Sequence, residues 1–216
     1  MPDSIPGPHQ GQPLLMAGQP LNDARAALIL VHGRGATARS ILELGAVLSQ
    51  PDFAYLAPQA GGSTWYPFSF LAPIPQNEPG ITSGLRALAD AVATVEASGI
   101  AAEKIVLGGF SQGACLASEF VARHARRYGG LLVFSGGLIG PPGTPRDYEG
   151  TLDGTPVFIG CSDVDPHIPI ERVTETADVL TDLGGSVTQQ IYPAMGHTII
   201  QDEIDHALQI VQSVVV

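Results

Sequence analysis

The sequence predicts an α/β fold, a mostly parallel sheet flanked by helices on both faces, and three observations carry that expectation. Short apolar runs alternate along the chain with segments of helical period. Most of these runs are apolar throughout, as expected of strands covered on both faces. One of them, Lys104-Ile105-Val106-Leu107, leads through Gly109-Phe110-Ser111-Gln112-Gly113 into the helical stretch 114–122, giving a strand, a tight turn and a helix in sequence.

Taken in order, residues 1–12 are rich in proline and glycine and read as a loose lead, followed by a single domain over 13–216. Residues 14–18 suit an edge strand turning near Leu21-Asn22-Asp23. The continuous apolar run 26–31 is a buried strand ending in His32-Gly33-Arg34-Gly35-Ala36, and Thr37 is placed to cap a helix through about Leu48. Residues 53–57 form the next strand. From Pro58 to Pro79 the composition turns to proline, glycine and aromatics without helical period, a long loop of the kind that often carries function. Ile81, Leu85, Leu88, Val92 and Val95 fall on one face of a helix closed by Gly99. Beyond the central turn come a strand at 131–135, a proline-rich loop at 136–154 and a strand at 156–160. A helix at 170–183, a strand at 187–192 and a helix at 201–214 complete the chain.

Bulk properties bound the function. Hydrophobic residues make up 44% of the 216-residue chain and charged ones only 14%, which argues for a compact globular protein. A net charge of −11 speaks against nucleic acid or an anionic membrane surface as partner. No apolar run is long enough to span a bilayer, and residues 1–8 lack the basic start and apolar stretch of a signal peptide. Cys115 and Cys161 imply no disulfide framework and suit a reducing cytoplasm, the expected location.

The chemistry centres on Ser111. A serine between two glycines at a strand-to-helix turn is a nucleophile elbow, so sharp that side chains at Gly109 and Gly113 would collide with backbone. The turn strains Ser111 and lifts its hydroxyl above the sheet, while the helix aims its N–H groups at any anion formed there. Such a serine needs a histidine to take its proton and a carboxylate to fix and stabilise that histidine. After the strand at 156–160 come Asp163 and Asp165, and after the last strand comes His197. Serine, aspartate, histidine is the chain order of α/β-hydrolase triads. The residues themselves leave the choice between Asp163 and Asp165 open. His32, His124 and His206 read as structural or exposed, and His167 has no assigned role.

The pieces His32-Gly33-Arg34-Gly35, Glu78-Pro79-Gly80-Ile81, Gly108-Gly109-Phe110-Ser111-Gln112-Gly113, Asp165-Pro166-His167-Ile168-Pro169 and Gly196-His197 span nearly the whole chain. In them the sequence resembles the phospholipase/carboxylesterase family of α/β-hydrolases, which includes bacterial carboxylesterases and acyl-protein thioesterases. The resemblance implies an α/β-hydrolase fold and a serine hydrolase of ester or thioester bonds that needs no cofactor and no metal. It implies Ser111 as nucleophile, Asp165 as acid and His197 as base, with the backbone N–H groups of Arg34 and Gln112 as the oxyanion hole. It further implies a small-molecule ester as partner; with the charge and hydropathy above, neither nucleic acid nor a membrane span is expected, and a homodimer stays open.

Two departures stand out. The family commonly has leucine where this chain has Arg34, and a single aspartate where this chain has Asp163 and Asp165. A guanidinium at the mouth of an apolar cleft needs an acidic partner, exposure to water or an anionic ligand, so Arg34 is also a candidate substrate-binding residue. The stretch Trp65-Tyr66-Pro67-Phe68-Ser69-Phe70-Leu71 is a candidate wall for the acyl or alcohol group, with Trp65 as a substrate-binding residue; ordinary core packing is the alternative. Two other functions remain compatible with the sequence: a catalytically silent binding protein on a hydrolase fold, and an acyltransferase whose acceptor is not water.

Overall fold

The computed structural model describes residues 7–215, and their strands and helices alternate as expected. The strands are β1 (Leu14–Gly18), β2 (Ala26–Val31), β3 (Phe53–Pro58), β4 (Ile105–Phe110), β5 (Gly130–Phe134), β6 (Pro156–Ser162) and β7 (Ser186–Tyr192). The helices are α1 (Ala38–Val47), α2 (Gly80–Ala97), α3 (Gln112–Arg123), α4 (Ile170–Asp182) and α5 (Gln201–Ser213). All seven strands join one sheet in the order β1-β3-β2-β4-β5-β6-β7. β1 runs antiparallel to β3, and every other pairing is parallel.

The uniform apolarity of β2 has a direct structural reading. Successive side chains point to opposite faces of a strand. Ala27, Ile29 and Val31 join the core beneath α2, α3 and α4, where Leu88, Leu116 and Leu180 also lie. Ala26, Leu28 and Leu30 join the opposite core beneath α1 and α5, with Ile41, Ile204 and Val211. All six β2 residues are buried, and full burial of each Leu, Ile or Val contributes about 1.5–3 kcal/mol. Thr37 caps α1 as the sequence indicates: its side chain accepts from the Ser40 N–H at 3.1 Å.

Strand order also fixes the site. From β2 the chain moves outward to β3, then crosses back to place β4 on the other side of β2. That reversal opens a crevice at the carboxyl ends of β2 and β4, where ligands bind in open α/β sheets. The register Val31↔Gly109 sets residues 32–36 beside the turn at Ser111.

One expectation fails near the start of the chain. Residues 1–6 of the expected loose lead lie outside the described residues, but residues 7–12 pack onto the domain. His9 is only 4% exposed. Its Nε2–H donates to Trp65 O at 2.8 Å, and its Nδ1 accepts from the Gly61 N–H at 3.0 Å. Its own N–H donates to Ser83 Oγ at 2.9 Å. One residue tied by its imidazole to the 61–65 loop and by its backbone to α2 outweighs the disordering composition around it.

The two long loops are held by buried polar side chains, because irregular backbone away from water must find partners. Between β3 and α2, fully buried Asn77 accepts from the Phe68 N–H and donates to Ser69 O, both at 2.8 Å. After β5, Arg172 donates to Leu138 O and Gly140 O, both at 2.6 Å, and Glu119 accepts from the Ile139 N–H at 3.0 Å.

Candidate active site

The elbow is built by close contact of β4 and α3 with β2. A Cβ on Gly113 would stand 2.1 Å from Val31 O, and one on Gly109 would stand 2.7 Å from both Val31 O and the Gly113 carbonyl carbon. Neither position accepts a side chain. Between them Ser111 takes φ 56°, ψ −120°, a conformation costing about 1–3 kcal/mol for a residue with a Cβ. Its N–H donates to Phe134 O at 2.9 Å and its carbonyl accepts from the Cys115 N–H at 3.0 Å, so the surrounding structure enforces the strain.

Three sheet ends converge here. His197 Nε2 lies 2.9 Å from Ser111 Oγ, and His197 Nδ1 lies 2.7 Å from Asp165 Oδ2. The other oxygen of Asp165 accepts from the N–H groups of His167 at 2.8 Å and Ile168 at 3.1 Å. Burial works against the charge of Asp165, but the His197 hydrogen bond and these two amides outweigh it and hold the carboxyl below its ordinary range. An ionised carboxylate only accepts, so Nδ1 carries the imidazole proton and Nε2 presents its lone pair to Ser111.

Of the two aspartates, it is Asp165 that meets His197. Asp163 is exposed and its Oδ1 accepts from the Ala194 N–H at 2.7 Å, tying the acid loop to the turn that carries His197. Ser162 makes a second tie, accepting from the Gly196 N–H at 3.0 Å. The His197 ring is further bracketed by Phe110, at 4.8 Å between ring centres, and by His167, edge-on at 4.9 Å. Behind the acid sits the buried Cys161 thiol, pushed up to about 12 by burial and then by the Asp165 charge. It stays protonated and lies 3.8 Å from Asp165 Oδ2.

Beside Ser111 a cleft of about 480 Å³ is lined by Arg34, Tyr66, Pro67, Phe68, Phe70, Phe110, Ile168 and His197, with Gln112 and Cys115 beneath. The aromatic stretch therefore does form a wall, but Trp65 is not part of it, which corrects one expected site residue. Trp65 is fully buried, and its Nε1–H donates to His32 O at 2.8 Å. Its ring is packed between His32 and His9, each 5.1 Å away between centres. The backbone turns after Trp65, so its neighbours Tyr66 to Phe68 reach the cleft while the indole fills the core.

Arg34 lines the cleft and makes no ion pair among the described residues. Its guanidinium instead donates to Tyr66 O (2.9 Å), Pro67 O (2.9 Å), Phe68 O (2.7 Å) and Thr64 Oγ1 (3.1 Å). Gln112 reaches the same segment from the elbow: its Oε1 accepts from the Trp65 N–H at 2.9 Å, and its Nε2 donates to Tyr66 O at 2.8 Å. These ties, like those of Asp163 and Ser162, escape sequence reading. Arginine, glutamine and aspartate near a glycine-rich turn suggest chemistry, and nothing local in sequence tells which backbone groups they will meet. Among the described residues no cluster of three or more His, Cys, Asp or Glu side chains is arranged to hold a metal ion. No described helix is long and apolar enough to cross a membrane.

Residues 17–215 match the family model described as phospholipase/carboxylesterase. A crystal structure described as a phospholipase/carboxylesterase from Dyadobacter fermentans superposes with a TM-score of 0.89 at 42% identity, covering 95% of this chain and 97% of that one. Acyl-protein thioesterase 1 of Saccharomyces cerevisiae is 28% identical over 86% of this chain and 91% of its own length. Acyl-protein thioesterase 1 of Gibberella zeae is 37% identical over 50% of this chain, and the match spans about half (47%) of that relative. The chain belongs to the phospholipase/carboxylesterase family, hydrolases of the serine-esterase type on an α/β-hydrolase fold.

Proposed function

We propose that the protein hydrolyses carboxylic esters through an acyl-enzyme on Ser111, with His197 as general base and acid and Asp165 as the carboxylate that orients it. One observation carries this reading: the unbroken hydrogen-bonded chain from Ser111 Oγ through His197 to Asp165, at 2.9 and 2.7 Å, beside a strained elbow. Ser111 Oγ attacks the ester carbonyl as His197 Nε2 takes its proton. Charge gathers on the carbonyl oxygen, and the N–H groups of Arg34 and Gln112 are the donors proposed to hold it. Gln112 opens α3, so its N–H has no acceptor one turn back within the helix, and the helix dipole favours negative charge at this end. The tetrahedral adduct collapses as His197 returns the proton to the leaving alcohol. Water then attacks the acyl-enzyme with the same histidine as base, releasing the acid and restoring Ser111.

Thioesters are a second substrate class under this reading, because two related proteins carry the name acyl-protein thioesterase. A cytoplasmic setting accords with the two buried free cysteines. The test uses a serine-directed fluorophosphonate together with nitrophenyl esters and acyl thioesters of increasing chain length. The native protein should be labelled once, on Ser111, and Ser111→Ala should lose labelling and lower kcat on the order of 10⁶-fold. Labelling at another residue, or substantial turnover by Ser111→Ala, would overturn the assignment.

A further inference from the structure

We infer that Arg34 is a positioning residue that sets the acyl or alcohol selectivity of the cleft by clamping its wall, rather than by binding a substrate anion. The inference rests on the hydrolase reading above, and its basis is the hydrogen bonding of the segment 64–68. This stretch has no strand partner to take its carbonyls. Three successive ones, on Tyr66, Pro67 and Phe68, turn towards one guanidinium, and Thr64 Oγ1 completes the set. Both terminal nitrogens of Arg34 are thereby engaged twice. The flat, forked arrangement of donors suits this task, and an ammonium on a flexible stem does not replace it.

The clamp joins two parts of the site. Gly35 N–H donates to Ser63 O at 2.8 Å, so the loop after β2 is stitched to the wall at both its backbone and its side chain. Thr64 Oγ1, which accepts from Arg34, in turn donates to Gln112 Oε1 at 3.4 Å, and Tyr66 O receives both Arg34 and Gln112. The two residues whose amides are proposed to hold the oxyanion therefore grip the same wall with their side chains. Tyr66, Pro67 and Phe68 are fixed relative to Ser111 by that grip. Asn77 holds the far side through the Phe68 N–H and Ser69 O, which leaves Arg34 and Gln112 to fix the near side.

Removing the guanidinium takes a donor from four acceptors, leaving only Tyr66 O still held by Gln112, and lets the wall relax away from Ser111, so a longer acyl chain gains over a short one. Arg34→Leu and Arg34→Lys are compared with the native chain on nitrophenyl acetate, butyrate and octanoate, and on a monosuccinyl ester. The octanoate-to-acetate ratio of kcat/KM is expected to rise about tenfold in Arg34→Leu, with Arg34→Lys between the two. Hydrogen exchange of the segment 64–70, read by mass spectrometry, is expected to quicken about tenfold in Arg34→Leu while the core strands stay protected. An equal loss on all esters, or an unchanged ratio, would overturn the inference. So would a loss confined to the succinyl ester, which would mark Arg34 as an anion-binding residue. Failure of the native protein to cleave any ester would count against the hydrolase reading, and the exchange of 64–70 would still decide for or against the clamp.

Discussion

Asp163 and Asp165 stand two positions apart on one loop and have different work. Asp165 accepts from His197, His167 and Ile168, whereas Asp163 accepts from the Ala194 N–H and holds the histidine's turn in place. Asp165→Asn keeps the shape but leaves His197 without the carboxylate that fixes its tautomer, and kcat on a nitrophenyl ester should fall roughly 10⁴-fold. Asp163→Asn keeps an oxygen for Ala194 and should stay within about tenfold of native kcat. The reverse ranking in steady-state kinetics would show that the carboxylate has been misassigned. At this scale Ser111 and His197 were legible because their surroundings are local: a serine between two glycines, and a histidine just beyond a strand. The choice of aspartate was not legible, since it depends on how residues 163–168 turn, which spacing alone does not fix. Trp65 misled for the same reason, as one step along the backbone separates the core from the cleft.

At the scale of elements, the helix α3 and the strands β2 and β4 meet so closely that glycine is a geometric requirement. Gly113→Ala would place a methyl group 2.1 Å from Val31 O. Because that neighbour is backbone in the central strand, relief demands movement of β2 or α3. Urea denaturation should show a loss of at least about 1–3 kcal/mol, with ester turnover reduced as the elbow shifts. Native stability in Gly113→Ala would mean that the elbow is looser than its packing indicates. The elements themselves were readable, because uniformly apolar runs and helical periods are written into contiguous residues. Their ties were not. That His9 would dock beside Trp65, or that Arg34 would serve three carbonyls, depends on chain segments dozens of positions apart.

Across the whole molecule, buried ionisable groups pull stability in opposite directions with pH. Glu203 on α5 is fully buried, its Oε2 accepts from the Ile200 N–H at 3.0 Å, and its Oε1 meets no donor. Burial lifts its carboxyl from an ordinary 4.5 to about 7. The folded state thus holds this proton more tightly than the unfolded chain, so the stability it contributes is complete below 4.5 and lost as pH rises through about 7. In Glu203→Gln, thermal melting should lose that part of its pH dependence; an unchanged slope would show that the carboxyl is solvated. His9 and His32 act in the other sense. Burial lowers both imidazoles below the ordinary 6.5, so their contribution is complete above 6.5 and lost as pH falls through the lowered values. The single tryptophan of the chain lies between these two rings. Its fluorescence is accordingly an internal gauge of their charge: on acidification the emission of Trp65 should change while far-ultraviolet circular dichroism is still that of the folded protein, giving an optical signal for protonation of these two buried imidazoles.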